Sequence, residues 1–172
     1  MSKPPFFPAF QLKTPPGEDR PRQVCDTCGF INYVNPKIVV GSVVVVDGGV
    51  LMCRRAIEPR KGFWTLPAGF MEEGETVEAA ALREAQEEAQ AKLTLQGVLA
   101  IYSVPHISQV QIMFRATLAE PGFAPGPESL ETAVFALDAL PEKEFAFPSV
   151  AWALKDYRRF LAGEPGPFSN PA

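Results

Sequence analysis

Residues 69–91, GFMEEGETVEAAALREAQEEAQA, decide the fold of this protein and are the starting point for the rest of the chain. Thr76 can accept a hydrogen bond from a free backbone N–H, so the sequence predicts a helix from Thr76 to about Lys92. Three glutamates of this helix stand at positions i, i+3 and i+4: Glu84, Glu87 and Glu88. Their side chains are expected to project from one face, opposite Leu82 and Ala89. The helix therefore presents three carboxylates together.

The carboxylate cluster on this helix favours a bound divalent cation. Like charges three and four residues apart cost a few tenths of a kcal/mol per pair, and a cation would reverse that cost. Carboxylate oxygens are the ligands that Mg²⁺ and Mn²⁺ prefer. The alternative is a solvated acidic helix face, which is the ordinary explanation of an isolated E-x-x-E-E motif. The residues around the motif distinguish between these two interpretations.

The residues before and within the helix resemble the Nudix box of the Nudix hydrolase family. Gly69 is followed after five residues by Glu75, and Glu75 is followed after seven residues by the run Arg83–Glu88. This is the spacing of the box at every charged position. Gln90 departs from the pattern, because it stands where the box has its last glycine. The resemblance covers about residues 36–160.

The resemblance implies an α/β fold of the Nudix type, an α/β/α sandwich with a mixed β-sheet. It implies hydrolysis of the pyrophosphate bond in a nucleoside diphosphate linked to another moiety, with ADP-ribose, FAD or a related ADP-containing compound as the expected substrate. Mg²⁺ is the expected cofactor, with Mn²⁺ as the alternative. The implied metal ligands are the carbonyl of Ala68 and the side chains of Glu84, Glu87 and Glu88. Arg83 and Glu75 are expected to pair and to hold the loop that begins at Gly69 against the helix.

A further carboxylate is expected to act as the general base, because metal binding reduces the basicity of the box glutamates. Family members that act on ADP-ribose often draw this base from a loop after the central strands. Here the loop 122–130 runs into Glu128-Ser129-Leu130-Glu131. Glu131 adjoins a predicted strand and is the first candidate, and Glu128 is the second. If both acids are solvated loop residues, Glu84 becomes the remaining candidate.

Basic residues just before the box are candidate phosphate ligands. Arg55 and Arg60 are the expected substrate-binding residues, because a guanidinium group can meet two phosphate oxygens at once. The alternative is an ordinary basic surface loop, which also contains Arg54 and Lys61. His106, the only histidine, is expected to be a structural loop residue rather than a base.

Residues 1–35 are interpreted as a separate, proline-rich N-terminal arm. The run Cys25–Gly29, with its Cys-x-x-Cys spacing, resembles half of a zinc ribbon. A structural zinc site needs four ligands, and Phe7 and Phe10 stand where related proteins have the other cysteine pair. Zinc is therefore not expected. A redox dithiol is a further alternative, although the strand-to-helix setting of such a motif is missing.

The rest of the chain predicts alternating strands and one more helix. A valine-rich strand, Ile38–Val46, is followed by the turn Asp47-Gly48-Gly49 and a second strand, which together predict a hairpin. Further strands are expected near 95–104, 110–118 and 132–136, and an amphipathic helix near 149–161. The Nudix domain is predicted to span residues 36–162, with a disordered tail over 163–172.

Composition and charge limit the other functions. Of the 172 residues, 47% are hydrophobic and 21% are charged, which is typical of a globular protein. The net charge of −4 weighs against non-specific binding to nucleic acid, and the longest apolar run is shorter than the ~20 residues of a membrane helix. A cytoplasmic protein with a small-molecule nucleotide as its partner is expected, without nucleic acid or membrane and with a homodimer as an open alternative.

Two other classes of function are alternatives to hydrolysis. The first is a non-catalytic nucleotide sensor that kept the fold, which the complete set of box carboxylates disfavours. The second is a ribbon-type nucleic-acid binder, which the acidic charge and the missing cysteine pair disfavour.

Overall fold

The computed structural model describes residues 9–171, which fall into two units that divide between Asn35 and Pro36. The first eight residues, with Phe7 and the first prolines of the arm, lie outside the described residues, as does Ala172. The N-terminal unit contains three strands: β1 (Phe10–Lys13), β2 (Arg22–Cys25) and β3 (Ile31–Asn32). The second unit contains, in chain order, β4 (Lys37–Val46), β5 (Gly49–Arg55), β6 (Trp64–Thr65), β7 (Ala68–Phe70), α1 (Val77–Ala89), β8 (Leu93–Val104), β9 (Gln109–Leu118), β10 (Ser129–Ala136) and α2 (Pro148–Leu161).

The three strands of the N-terminal unit form an antiparallel sheet in the order β1-β2-β3. Phe10 of β1 lies opposite Cys25 of β2. After β2 the chain turns tightly, so that the backbone N–H of Cys25 donates to the carbonyl of Phe30 at 2.8 Å. The Cys-x-x-Cys segment is therefore the turn between β2 and β3, as in one knuckle of a ribbon.

The second unit is built on one mixed sheet. Its main strands run in the order β10-β5-β4-β9-β8, with β6 added to β5 and β7 added to β4. The central strands β4 and β9 are parallel, whereas the neighbouring pairs are antiparallel. The predicted mixed sheet is thus confirmed.

The two helices cover opposite faces of this sheet. Side chains alternate between the faces of a strand, and Val43 and Val44 of β4 are both fully buried. Val43 packs with Leu154 of α2, whereas Val44 packs with Ala85 of α1. Since neighbouring residues of one strand contact different helices, the unit is the expected α/β/α sandwich.

The α1 helix begins as predicted, but it presents a different face to the sheet. The hydroxyl of Thr76 accepts the backbone N–H of Ala79 at 3.1 Å and caps the helix. The buried face consists of small residues and two of the glutamates: Ala80, Ala81, Glu84, Ala85, Glu88 and Ala89. The expectation that the glutamates project opposite Leu82 and Ala89 is wrong, because Glu84 and Glu88 share the buried face with Ala89 while Leu82 is 39% exposed. Alanines allow the helix to approach the sheet closely, and this approach buries Glu84 and Glu88.

The hairpin of β4 and β5 is confirmed. Val46 pairs with Gly49, so the turn consists of Asp47 and Gly48, both with positive φ. This is the backbone geometry that two-residue hairpin turns require, and Asp-Gly is a preferred sequence for it.

The segment after α2 differs from the disordered tail that the sequence predicts. The N–H of Phe168 donates to the carbonyl of Leu99 at 2.8 Å, and the carbonyl of Phe168 accepts the N–H of Ile101 at 2.9 Å. The Phe168 side chain is only 7% exposed and belongs to the core on the α2 side. Asn170 adds two further hydrogen bonds to the backbone of Ser103, so the segment is held along β8 although its composition suggests otherwise.

None of the helices within residues 9–171 is both long enough and apolar enough to cross a membrane.

Candidate active site

The carboxylate of Glu84 lies against the backbone of β7. A Cβ atom on Gly69 would collide with the carboxylate carbon and oxygens of Glu84. Only glycine therefore leaves room for the glutamate at this point of the strand, which explains in physical terms why the two residues belong to one motif. Glu84 is 8% exposed, and burial raises the pKa of its carboxyl above the ordinary value.

Glu88, one turn further along α1, is held by β7 as well. One of its carboxylate oxygens accepts the backbone N–H of Ala68 at 3.0 Å. The side chain is 5% exposed, and burial raises its pKa to about 8. Glu88 is therefore a buried carboxyl and not the solvent-facing one that the helix spacing suggests.

Arg83 ties the loop before α1 to the carboxylates. Its Nε donates to Oε1 of Glu75 at 2.7 Å, and Nη2 donates to the carbonyl of Phe70 at 2.9 Å. Its Nη1 donates to Glu84 at 2.8 Å and to Glu87 at 2.9 Å. The hydrogen bonds from Arg83 lower the pKa of Glu75 to about 2, so this pair stays charged over the whole physiological range.

The three helix carboxylates differ in their surroundings. Glu84 and Glu87 share the charge of Arg83, and Glu87 is turned to solvent with 56% of its side chain exposed. Glu88 forms no salt bridge with any basic side chain of residues 9–171, and no three His, Cys, Asp or Glu side chains in that range form a ready-made metal cluster. Of the two buried carboxylates, only Glu84 has a salt bridge, so the negative charge of this pair is not fully balanced. Their oxygen donors fit a hard divalent cation such as Mg²⁺.

Of the two acids near the start of β10, the structure brings Glu128 and not Glu131 to the carboxylates. After burial, the negative charge of Glu128 is a further cause of the raised pKa of both Glu84 and Glu88. Glu131 instead lies 3.5 Å from Arg54 and is 54% exposed. The pairing of β10 with β5 shifts register between Ser129 and Glu131, which marks a β-bulge. The bulge changes which side chains face the site, and nothing in the local sequence signals it.

The basic residues of the 54–61 segment also differ in their relation to the carboxylates. The charge of Arg55 favours the ionised form of Glu88, so this guanidinium lies near the carboxylates. Arg55 also donates to the carbonyl of Pro59 at 2.8 Å and stacks over the ring of Phe147. Arg60 stacks over Phe63 instead, and no contact joins it to the carboxylates in the described part of the chain. His106 is an exposed residue of a single-turn 3₁₀ helix.

The loop between β9 and β10, which the sequence places at the site, also docks onto the end of α1, and this contact was not predicted. Its backbone donates to the C-terminal end of α1, from Ala124 to the carbonyl of Ala89 and from Gly126 to that of Glu88. The sequence of this loop suggests only a proline- and glycine-rich connection, because docking onto a helix end leaves no periodic pattern.

Comparison with protein families identifies both units. The NUDIX domain family matches residues 35–153. The Nudix N-terminal zinc-ribbon family matches residues 8–34. The two matches meet within one residue of the point at which the structure divides.

Two kinds of characterised relatives are similar in sequence. An ADP-ribose pyrophosphatase of Methanocaldococcus jannaschii is 31% identical over 137 residues, which cover 76% of this chain and 78% of that protein. An NAD-capped RNA hydrolase, NudC, of Pseudomonas aeruginosa is 32% identical over 149 residues. This second match covers 82% of the chain but only 51% of the relative, so the chain spans about half the length of that enzyme.

Solved structures show the same fold. A NUDIX hydrolase from Nitrosomonas europaea is 42% identical and superposes with a TM-score of 0.88 over 93% of this chain and 92% of its own. An ADP-ribose pyrophosphatase from Streptococcus suis is 22% identical, with a TM-score of 0.61 over 79% of this chain and 100% of its own. The second likeness concerns the fold alone.

The residues of the N-terminal unit do not fit the zinc that its family name implies. Residues 1–35 contain two cysteines and no histidine. The acids of the unit are engaged elsewhere: Asp26 binds Lys13 at 2.6 Å and Glu18 binds Arg22 at 3.1 Å. A tetrahedral site needs four ligands, and the exposed ring of Phe10 lies opposite Cys25 in the sheet. One knuckle of the ribbon is present without the ligands that would complete it.

Proposed function

This chain belongs to the Nudix family of hydrolases, and we propose that it hydrolyses the pyrophosphate bond of ADP-ribose or of a related ADP-containing compound such as FAD, with Mg²⁺ as its cofactor. The observation that carries this proposal is the pair of buried carboxylates, Glu84 and Glu88, held against β7, where Gly69 leaves room for the carboxylate of Glu84. Burying two acids without a full complement of positive charge costs stability. Binding of a divalent cation by these carboxylates would offset that cost.

Each residue of the site has a separate task in the proposed reaction. Glu84, Glu87 and Glu88 would hold the cation, and Arg83 with Glu75 keeps α1 aligned with the loop before it. When bound, the cation supplies positive charge to the diphosphate and lowers the pKa of a water molecule. The charge of Arg55 favours the ionised form of Glu88, and its guanidinium would bind a phosphate oxygen of the substrate. Arg60, stacked on Phe63, is a weaker candidate for that task.

We assign the general base to Glu128. Its negative charge helps to raise the pKa of Glu84 and of Glu88, and it forms no salt bridge within residues 9–171. A carboxylate that binds neither metal nor guanidinium keeps the lone pairs with which to accept a proton from the attacking water. Glu131, which Arg54 engages, is less suited to this task.

The choice of substrate rests on the relatives. The similar enzyme from Methanocaldococcus jannaschii is an ADP-ribose pyrophosphatase, and 78% of its length is represented here. The NAD-capped RNA hydrolases are represented only over about half of theirs, 51% in Pseudomonas aeruginosa. The formal net charge of −4 also favours a small nucleotide over an RNA chain.

The test is a panel of substrates with purified protein and Mg²⁺: ADP-ribose, FAD, NADH, a nucleoside triphosphate and an NAD-capped RNA oligonucleotide. Chromatography is expected to show AMP and a second monophosphate from ADP-ribose or FAD, and less than a tenth of that rate for the others. Faster turnover of the capped RNA would overturn the substrate assignment. Tight binding of ADP-ribose without any turnover would favour the nucleotide sensor.

A further inference from the structure

The C-terminal end of α1 is closed by the loop 119–128 rather than by solvent. The last carbonyls of a helix have no partner within the helix, so they must be satisfied from outside. Here the N–H of Ala124 donates to the carbonyl of Ala89 at 2.9 Å, and the N–H of Gly126 donates to that of Glu88 at 3.1 Å. The loop therefore uses the helix end as its docking surface.

Gln90 makes the third contact between the helix end and the loop. Its backbone is left-handed, with φ 48° and ψ 30°, a conformation that glycine adopts more easily than any residue with a side chain. Its side chain does what a glycine could not: Nε2 donates to the carbonyl of Pro125 at 2.9 Å. The amide thus attaches the loop at a position where this chain departs from the Nudix box.

The backbone contacts of Gly126 and Ala56 fix the position of Glu128. A Cβ on Gly126 would collide with the carbonyl oxygen of Glu87, so the loop backbone lies directly on the helix. Two residues later the carbonyl of Glu128 accepts the N–H of Ala56 at 2.7 Å. Glu128 is therefore fixed between the end of α1 on one side and the end of β5 on the other.

We propose that Gln90 is a positioning residue for hydrolysis, and that its amide holds the loop so that Glu128 faces Glu84 and Glu88. This inference rests on the proposed function, because it acts through the assigned base. Among the described residues, the side chain of Gln90 hydrogen-bonds to the carbonyl of Pro125 and not to the carboxylates. An ordinary helix cap would influence folding alone, whereas a positioning residue must influence turnover through Glu128.

Two variants separate these roles. Gln90→Glu keeps the size of the side chain and removes its N–H donor, and Gln90→Gly removes the side chain while relieving the left-handed backbone. Both are expected to fold and to lower kcat about 10- to 10²-fold, with KM changed less than about twofold, because a misplaced base affects the chemical step rather than binding. Gln86→Glu is the matched control: Gln86 is an exposed residue of the same helix, and kcat is expected to stay at the wild-type value.

The double variant Gln90→Glu with Glu128→Gln tests whether the effect passes through Glu128. If it does, the double variant is as slow as Glu128→Gln alone. Losses that multiply, or wild-type kcat in both Gln90 variants, would overturn the proposal while leaving the proposed function intact.

If no substrate of the panel is hydrolysed, the proposed function fails, but hydrogen exchange still tests the role of Gln90. The amides of Ala124 and Gly126 are expected to exchange about tenfold faster in Gln90→Glu than in the wild type, with the amides in the middle of α1 unchanged. Unchanged exchange in the loop would overturn the attachment itself.

Discussion

The buried end of α1 and the knuckle of the N-terminal unit both carry the pattern of a metal site, and they differ in what surrounds the ligands. At α1 the acids remain short of positive charge, with Glu88 buried and without a salt bridge among the described residues. In the N-terminal unit the acids are paired with basic residues, as in Lys13–Asp26 and Glu18–Arg22, and the second cysteine pair is absent from the sequence. The two regions therefore differ in charge balance: the acids of α1 are left short of positive charge, whereas those of the N-terminal unit are neutralised by their partners.

The largest effect is expected from removing the charge of Glu88. We expect Glu88→Gln to lower turnover at least about 10³-fold, because the cation contributes several kcal/mol to the transition state and each 1.4 kcal/mol is about a factor of ten. The fold is expected to stay intact, since glutamine can still accept the N–H of Ala68 and leaves no cavity. The measurement is kcat with saturating Mg²⁺, together with the circular dichroism spectrum.

Glu78→Gln is the control for this variant, because Glu78 lies in the exposed first turn of the same helix. Near-normal kcat in Glu88→Gln would contradict the assignment of the metal ligands. It would also remove the contrast between α1 and the N-terminal unit.

The second prediction compares the two acids near β10. Glu128→Gln is expected to lower kcat by about 10²- to 10⁴-fold, the usual loss for a general base, while Glu131→Gln stays near the wild type because Glu131 faces Arg54. The two variants make the same chemical change three residues apart, so each controls for the other. The opposite ranking would make Glu131 the base, and two wild-type rates would leave Glu84 as the remaining candidate.

The third prediction concerns the effect of Mg²⁺ on the stability of the protein, which tests directly whether α1 binds the cation. Mg²⁺ at about a hundred times its Kd is expected to stabilise the wild type by about 2.7 kcal/mol, which raises Tm by roughly 5 to 10 °C. The Glu88→Gln variant is expected to gain less than half of this. Differential scanning fluorimetry of both proteins, with and without EDTA, measures the difference, and equal gains would place the cation away from Glu88.

The smallest effect is expected in the N-terminal unit. Protein purified without added metal is expected to contain less than one zinc per chain, since two cysteines supply half of a tetrahedral site. The double variant Cys25→Ser with Cys28→Ser is then expected to change Tm by less than about 3 °C, and EDTA should not lower the Tm of the wild type. One tightly held zinc per chain, found by elemental analysis, would contradict this and would point to ligands shared between two copies.

The sequence by itself determined the features that depend on neighbouring positions. The cap at Thr76, the i, i+3, i+4 spacing of the glutamates and the Asp-Gly turn are local patterns, and the structure has each of them. The alternation of strands and helices was enough to predict a mixed sheet between helices. Backbone geometry fixes such relations within a few residues, whatever the rest of the chain does.

Only the tertiary structure decided which of these residues become the site. Burial of Glu84 and Glu88 depends on how closely α1 approaches β7, and the proposed choice of Glu128 over Glu131 as the base depends on a β-bulge against β5. The order of the segment around Phe168 depends on the edge of β8. Each of these features depends on contacts between residues far apart in the chain. A register shift of one residue, or a small change in helix position, would alter the contacts, so a local sequence pattern cannot predict them.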